Sequence, residues 1–294
     1  MGVAARSPGV AVLRSGHSAP HAAGRRGAPV ITASFRHIGG IGPLRERQLW
    51  LSGVRSWAEV PAEGDILSPR LDEKLRAGVA ASVRRLAERD LEFFGRALPQ
   101  TEHWRLLPQV IEEAAFLDIE AAGDKVTVAG VLDADGLASF RGDLSRFLER
   151  SRRWRALVTF NGTIFDVPIL RRALPGWEPP AVHVDLRHVY QRLRDKGGLK
   201  QLEVRVGFFR PPHLASLCGA DAVALWHAQR EGDPAALRRL VEYNLYDVFH
   251  LRPLAELGYN RLLQRTRMPA GPMPVSDRGA MLYDVSRAVA AACP

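Results

Sequence analysis

The stretch AAFLDIEAAG, Ala114–Gly123, places Asp118 and Glu120 inside an apolar run that alternates like a β-strand. Because successive side chains of a strand point to opposite faces, the two acids share one face, while Leu117 and Ile119 share the other. Carboxylates on a strand that packs against a core must meet solvent, a basic partner or a cation. A half-buried edge strand shows the same alternation, so this stretch alone leaves a solvent-facing strand and a metal site both open.

A second acid lies in FNGTIFDVPIL, residues 160–170, where a predicted buried strand gives way to a helix. Pro168 is tolerated only near a helix start, which places Asp166 close to the N-terminus of that helix. An aspartate in this position often caps its helix. Because ligands also collect at the carboxyl ends of strands in an open α/β sheet, Asp166 can equally reach a metal ion held by the first strand.

A third acidic stretch, VEYNLYDVFHL, residues 241–251, lies in a predicted long helix. Tyr243 and Asp247 are four residues apart and therefore lie one above the other on a single helix face. An aromatic residue beside an acid is also typical of a partly exposed helix surface. Tyr243 and Asp247 therefore indicate a functional site only in combination with the other two acidic stretches.

The composition is that of an ordinary globular protein, with 294 residues, 46% hydrophobic and 25% charged. The formal net charge of +9 favours a polyanionic partner such as nucleic acid. Two cysteines and nine histidines show no zinc-ligand spacing, so any metal is expected to have oxygen ligands. The sequence shows neither a membrane-spanning run nor a secretory signal, so we expect a cytoplasmic location with no membrane partner. No protein partner is indicated.

Five regions are predicted along the chain. Residues 1–33 are rich in small residues and arginine, without an acid, and are expected to be a disordered basic tail. A glycine-rich hairpin is expected at residues 34–62 and a helical connector at 63–112. The α/β domain is expected at residues 113–265, followed by a tail at 266–294.

The sequence GGIGP within residues 34–62 resembles a helix-hairpin-helix motif, in which a glycine turn presents backbone N–H groups to a phosphate. Gly40 and Gly42 would permit close approach of the backbone, and Arg45 and Arg47 would add positive charge. Leu44, Leu49 and Trp50 are expected on the inner face of the helix that follows. A plain glycine turn between packed helices is the alternative.

The order of the three acidic stretches, D-x-E, N-x-x-x-F-D and Y-x-x-x-D, resembles the exonuclease motifs of the DEDD superfamily, in the subgroup with Tyr in the third motif. Further stretches narrow the resemblance to the YprB-type ribonuclease H-like domain, a relative of the proofreading domain of family B polymerases. The similarity covers about residues 93–263. In that family a glycine-rich hairpin commonly precedes the nuclease domain. The stretches that carry the resemblance are FFGRALPQTEHWRLLP, FLDIEAAG, FNGTIFDVPILRRAL, GGLKQLEVRVG and YNLYDVFHL.

The resemblance implies an α/β fold of the ribonuclease H-like type, a mixed sheet flanked by helices and preceded by a small helical N-terminal region. It implies that two divalent cations, Mg²⁺ or Mn²⁺, bind to the four carboxylates of Asp118, Glu120, Asp166 and Asp247. Hard cations of this kind prefer oxygen ligands.

The resemblance also assigns roles outside the carboxylates: Tyr243 would position the attacking water and Asn161 would contact the nucleic acid. The implied activity is 3′–5′ exonuclease cleavage of DNA or RNA that releases nucleoside 5′-monophosphates. A non-catalytic nucleic-acid-binding module and a structure-specific endonuclease are the alternatives. The chain departs from the family at Ala121 and Ala122, where a hydroxyl residue usually follows the Glu of the first motif. This departure would alter contacts to the terminal nucleotide, but it removes no metal ligand.

Overall fold

The computed structural model of the protein describes residues 30–293, with the backbone alone for residues 278–284. At its centre is a five-stranded sheet with the strand order β3-β2-β1-β4-β5. Strands β1, β2 and β3 pair antiparallel, whereas β1, β4 and β5 pair parallel. The strands are β1 Ala114–Ala122, β2 Lys125–Asp133, β3 Gly136–Phe140, β4 Ala156–Thr159 and β5 Val182–Asp185.

Twelve α-helices surround this sheet within the described residues. The predicted fold class, a mixed sheet flanked by helices with a helical N-terminal region, is confirmed. The helices are α1 Pro43–Leu51, α2 Pro69–Ala87, α3 Leu91–Ala97, α4 Leu107–Val110, α5 Ser145–Ser151, α6 Asp166–Ala173, α7 Leu186–Arg192, α8 Leu199–Arg205, α9 Pro212–Ala215, α10 Gly219–Arg230, α11 Pro234–Thr266 and α12 Arg278–Ala292. Short 3₁₀ turns occur at Val30–Ala33, Trp57–Glu59, Gln100–Leu106 and Ile111–Glu113.

Strand β1 lies in the middle of the sheet, with β2 on one side and β4 on the other. Its apolar side chains are buried, and Leu117 and Ile119 fill a core between the sheet and α6. Asp118 pairs with Gly130 of β2, and the register shifts between Glu120 and Ala121. The two acids are therefore on a central strand, and the edge-strand interpretation is wrong.

The N-terminal region packs on the same core as the sheet. Ile31 and Phe94 are fully buried in one hydrophobic cluster with Phe116 of β1 and Val158 of β4. A buried ion pair, Arg105 Nη2 to Glu46 Oε2 at 2.9 Å, adds a polar link between α1 and the 3₁₀ turn at residues 100–106. The hydrophobic core thus runs across the boundary predicted between residues 112 and 113.

Two expectations for the N-terminal region need correction. Residues 30–33 form a 3₁₀ turn with Ile31 buried, because this apolar residue packs into the core, and only residues 1–29 of the predicted basic tail lie outside the described residues. Leu44 is 84% exposed, because it stands in the first turn of α1 on the face away from Leu49 and Trp50, which are buried. An α-helix follows GGIGP, while a 3₁₀ turn and bends precede it.

The predicted C-terminal tail also differs from the structure. Helix α12 packs against α11 and β3, and its Val285, Ala288 and Val289 are buried in a shared hydrophobic cluster. The side chain of Arg141 donates to the carbonyl of Ala292 at 2.6 Å. Small apolar residues at helical spacing allow this close packing. Within the described residues, the helices are too short or too polar to span a membrane.

Candidate active site

Three carboxylates from two elements meet beside the central strand. Asp118 and Glu120 come from β1, and Asp247 comes from the middle of α11, which crosses β1 and β2. One carboxylate oxygen from each of the three residues lies within 4.8 Å of the others. The strand alternation directs both β1 acids toward α11, and the helix presents Asp247 to them.

Asp166 stands at the start of α6, just after β4, and is 2% exposed. Its Oδ1 accepts a hydrogen bond from the backbone N–H of Ile119 at 2.9 Å. This bond attaches Asp166 to β1 between the two acids of that strand, but its carboxylate is not one of the three that share the 4.8 Å cluster. The structure therefore brings three of the four predicted metal ligands together and places the fourth adjacent to them.

Burial, together with the closeness of these carboxylates to one another, raises their affinity for protons. Burial raises the pKa of Asp118 well above its usual value, with a further contribution from repulsion by Asp247 and Asp166. Burial and the same two neighbours raise the pKa of Glu120 to about 8. Burial raises the pKa of Asp166 to about 7. Burial also raises the pKa of Asp247, although Arg210 opposes the shift.

The donor set fits a divalent cation of the Mg²⁺ type. Oxygen ligands from Asp118, Glu120 and Asp247 are the kind that hard cations prefer. Burial and mutual repulsion raise the pKa of Asp118 and Glu120, and the positive charge of a bound cation would oppose both effects. Asp166 can complete the set from the start of α6.

Asn244 holds Asp118 in place, a role that sequence reasoning missed. Its side-chain amide donates to the backbone carbonyl of Asp118 at 3.0 Å and to Oδ2 of the same residue at 2.9 Å. Gly130, opposite Asp118 on β2, leaves room for this amide, since a Cβ at Gly130 would collide with Asn244 Oδ1 and come within 2.8 Å of Val248. In the sequence, the position of Asn244 directly after Tyr243 was the feature that could have indicated a role in the site.

A buried ionic network behind Asp247 was also missed. Arg210 is ion-paired with Asp247, and its Nε and Nη2 donate to the two carboxylate oxygens of Glu203 at 2.7 and 2.6 Å. His250 Nδ1 lies 3.0 Å from Glu203 Oε1. Glu203 falls within GGLKQLEVRVG, and His250 within VEYNLYDVFHL, but neither stretch indicated that these residues form one network.

Tyr243 is 5% exposed and lies one helical turn before Asp247. Burial, with repulsion from Asp247, raises the pKa of its hydroxyl, so the phenol keeps its proton at physiological pH. The Lys200 ammonium lies 4.3 Å from the centre of the Tyr243 ring and the Arg210 guanidinium carbon lies 5.5 Å from it. The phenol can therefore donate a hydrogen bond but cannot act as a base.

An open cleft of about 930 Å³ lies beside Tyr243. Its walls carry Phe160 and Asn161 after β4, together with the basic residues Arg187 and Lys196. The size of the cleft is in the range of small-molecule ligand sites, and its basic walls suit an anionic ligand.

The predicted contact residue Asn161 has a left-handed backbone conformation, with φ of 69°. Its N–H donates to Asp185 Oδ1 at 2.8 Å, and its Oδ1 accepts from Arg187 Nη1 at 2.7 Å. The other carboxylate oxygen of Asp185 accepts from Thr163 N at 3.0 Å. Asp185, at the end of β5, thus anchors the loop that leads from β4 to Asp166.

The remaining predicted contact residues lie elsewhere, in the N-terminal region. Gly40 is in the turn before α1, with φ of 91°, and its carbonyl accepts a hydrogen bond from Arg45 Nη1 at 2.7 Å. Arg45 and Arg47 are exposed on α1. Gly42 directly precedes α1 as its N-cap residue. The role of these four residues in binding nucleic acid stays a prediction.

Comparison with known families shows what the chain is similar to. Residues 115–259 match the RNase_H_2 family model of the RNase H superfamily. The match spans all five residues predicted to be catalytic. Together with the sheet described above, this match supports an RNase H-like domain over these residues. The superfamily and the acidic cluster together suggest nuclease activity. No curated protein and no solved structure matched the chain.

Proposed function

We propose that the protein is a metal-dependent 3′–5′ exonuclease of the DEDD type that acts on DNA or RNA. The observation that carries this proposal is the cluster of Asp118, Glu120 and Asp247 within 4.8 Å, with Tyr243 on the same helix as Asp247. Tyr243, one helical turn before Asp247, also lines the cleft, where the end of a strand would enter.

Asp118, Glu120 and Asp247 would hold the divalent ions, Mg²⁺ or Mn²⁺, and Asp166 would contribute the fourth carboxylate. Two such ions, when bound, supply positive charge that stabilises the entering and leaving oxygens of a phosphoryl displacement. The protein residues keep the carboxylates in place: Asn244 orients Asp118, and the Glu203–Arg210 pair orients Asp247.

In the proposed reaction a water attacks the phosphorus of the 3′-terminal nucleotide. The bond from phosphorus to the O3′ of the preceding nucleotide breaks, and this O3′ takes up a proton. The products are a nucleoside 5′-monophosphate and a strand shortened by one residue. Tyr243, which keeps its phenolic proton, would orient the water by a hydrogen bond.

The strand would enter through the cleft next to Tyr243. Asn161 would contact it there, close to the basic residues Arg187 and Lys196. Within the superfamily we assign the domain to the YprB type, on the sequence resemblance. In that arrangement the turn at Gly40 and Gly42 would act as a helix-hairpin-helix element, with Arg45 and Arg47 of α1 exposed for backbone phosphates.

A nucleic-acid-binding module without turnover is the second candidate. The ion pair between Arg210 and Asp247 favours it, because the guanidinium already supplies this carboxylate with a positive counter-charge. Such a module would bind strands with strong salt dependence and would leave them intact.

Circular and linear substrates test the proposal. Purified protein is incubated with linear single-stranded DNA and RNA and with circles of the same sequence, in Mg²⁺, Mn²⁺ or EDTA. The proposal predicts that linear strands are degraded to nucleoside 5′-monophosphates, that circles survive and that EDTA stops the reaction. Cut circles would identify an endonuclease, and binding without cleavage in either metal would identify the binding module.

A further inference from the structure

Two cationic side chains lie over the ring of Tyr243. Lys200 is in the first turn of α8, two residues after Gly198, which lines the cleft together with Gly197. Arg210 follows α8 in the segment that leads to α9. Both side chains reach the Tyr243 ring, at 4.3 Å for the Lys200 Nζ and 5.5 Å for the Arg210 guanidinium carbon.

Each of the two side chains has a buried donor group that lacks a protein acceptor. Within the described part of the chain, Lys200 Nζ and Arg210 Nη1 have no hydrogen-bond partner. A buried donor without an acceptor costs about 1–3 kcal/mol, so orphaned donors in a folded protein call for a water or a ligand. Lys200 and Arg210 each have a buried cationic donor without an acceptor, and both side chains lie at the Tyr243 ring. This arrangement indicates that an anion binds there.

Arg210 is rigidly held for this role. Its Nε and Nη2 are taken up by Glu203, and Asp247 pairs with it from α11. Nη1 is the part of the guanidinium that remains for a ligand. A guanidinium fixed in this way loses little side-chain entropy when it binds a phosphate oxygen, and a lysine adds a point charge beside it.

We propose that Lys200 and Arg210 bind the phosphate of the nucleotide that the site releases. This inference rests on the proposed nuclease function and adds two substrate-contacting residues to it. The phosphate oxygens would accept hydrogen bonds from Lys200 Nζ and Arg210 Nη1, and its nucleoside would occupy the cleft beside Tyr243. A nucleoside 5′-monophosphate is therefore the ligand class that this pair recognises.

The test compares AMP and dAMP with the corresponding unphosphorylated nucleosides. Their affinities are measured by calorimetry in Mg²⁺ and in EDTA, for the natural protein, for Lys200→Met and for Lys74→Met. Lys74 is exposed on α2 and serves as the matched loss of one positive charge. Thermal unfolding of each variant checks that it is folded.

The proposal predicts that the natural protein prefers the monophosphates to the nucleosides. Lys200→Met should lower monophosphate affinity at least tenfold and leave nucleoside affinity unchanged, and Lys74→Met should alter neither. Equal monophosphate affinities of Lys200→Met and the natural protein would overturn the proposal, as would a natural protein that shows no preference for the phosphate. The Lys200 variant decides the outcome. A change of the buried Arg210, such as Arg210→Lys, would break its ion pairs with Glu203 and Asp247 and can prevent folding.

Strand cleavage by the natural protein is measured in parallel and separates the two proposals. Cleavage with unaltered monophosphate binding in Lys200→Met would leave the nuclease function standing and reject the phosphate pair. A Lys200-dependent preference for monophosphates in a protein that cuts no strand would support the phosphate pair and reject the nuclease function.

Discussion

The side-chain amide of Asn244 donates hydrogen bonds to both the backbone carbonyl and the carboxylate of Asp118, at 3.0 and 2.9 Å. Asn244 is on α11, three residues before Asp247, and Asp118 is on β1. This contact therefore ties together the two elements that supply the clustered carboxylates. Partners of metal ligands commonly set the orientation of those ligands.

Replacement of Asn244 by Ala should weaken metal binding. The variant loses both hydrogen bonds to Asp118, and we expect Mn²⁺ affinity to fall about 10–100-fold. The free energy of unfolding should fall by about 1–3 kcal/mol, because the half-buried carbonyl and carboxylate of Asp118 lose their hydrogen-bond donor. Calorimetric Mn²⁺ titration and urea unfolding measure the two effects.

Asn260→Ala is the control, because Asn260 lies on the same helix and makes two hydrogen bonds to Met273, at a different point along α11. It should lower stability without altering the Mn²⁺ affinity. Equal losses of Mn²⁺ affinity in the two variants would contradict the role given to Asn244.

Gly130→Ala should disturb the contact between Asn244 and Asp118 from strand β2. The added Cβ would collide with Asn244 Oδ1 and crowd Val248 at 2.8 Å. Such overpacking costs about 1–3 kcal/mol, and displacement of Asn244 should lower Mn²⁺ affinity as well. Urea unfolding and Mn²⁺ titration are compared with Gly39→Ala, where a Cβ meets nothing within 4 Å. A Gly130→Ala protein as stable as Gly39→Ala would refute the steric argument.

Without metal, the protein should lose stability as pH rises. The pKa of Glu120 is about 8 in the folded protein, against about 4.3 in an unfolded chain, so the folded state binds the proton more tightly. Protonation of Glu120 therefore favours folding below about pH 4.3, and this contribution is lost as pH rises to about 8. Glu120→Gln cannot titrate at this position.

The midpoint of thermal unfolding in EDTA, at pH 5 and at pH 8.5, checks this prediction. The decrease between the two pH values should be smaller in Glu120→Gln than in the natural protein, and Mg²⁺ should reduce it in the natural protein. Glu149→Gln, at an exposed position on α5, should show the full decrease. An identical decrease in all three proteins would show that Glu120 does not carry this pH dependence.

Replacement of Asp185 by Asn should loosen the loop that carries Asp166. The Asp185 carboxylate accepts hydrogen bonds from the backbone N–H groups of Asn161 and Thr163, at 2.8 and 3.0 Å. In the variant side chain, an NH₂ group replaces one of the two carboxylate oxygens, so one of these backbone N–H groups faces a donor and loses its acceptor. This loss should cost about 1–3 kcal/mol of stability. We also expect slower strand cleavage, measured on the same linear substrates. Asp143→Asn removes an exposed acceptor near the start of α5 and should leave cleavage unchanged.

The sequence alone was sufficient to predict the acidic site in outline. Side-chain alternation on β1 places Asp118 and Glu120 on one face, and helical spacing places Tyr243 and Asp247 on another. These patterns are local, so periodicity reveals them. The order of the three stretches carries the resemblance to the ribonuclease H-like family, and that resemblance implied the mixed sheet that brings them together.

The contacts that hold the site together are not local and were missed. Asn244 reaches a strand residue 126 positions earlier, and Arg210 reaches Asp247 across 37 positions. Neither pairing leaves a periodic signal in the sequence. Leu44 was misjudged for a similar reason, because the face that a nine-residue helix buries depends on its tertiary neighbours more than on its own pattern.

Cleavage of a 5′-labelled strand by the natural protein and by Asp118→Ala tests the central claim most directly. Single-stranded DNA and RNA are incubated with Mg²⁺, Mn²⁺ or EDTA, with Asp135→Ala, a change in the exposed β2–β3 turn, as the control. We predict a ladder that shortens from the 3′ end with metal, in the natural protein and in Asp135→Ala, and no cleavage in EDTA or by Asp118→Ala. Undiminished cleavage by a folded Asp118→Ala variant, or none by the natural protein with either metal, would contradict the account.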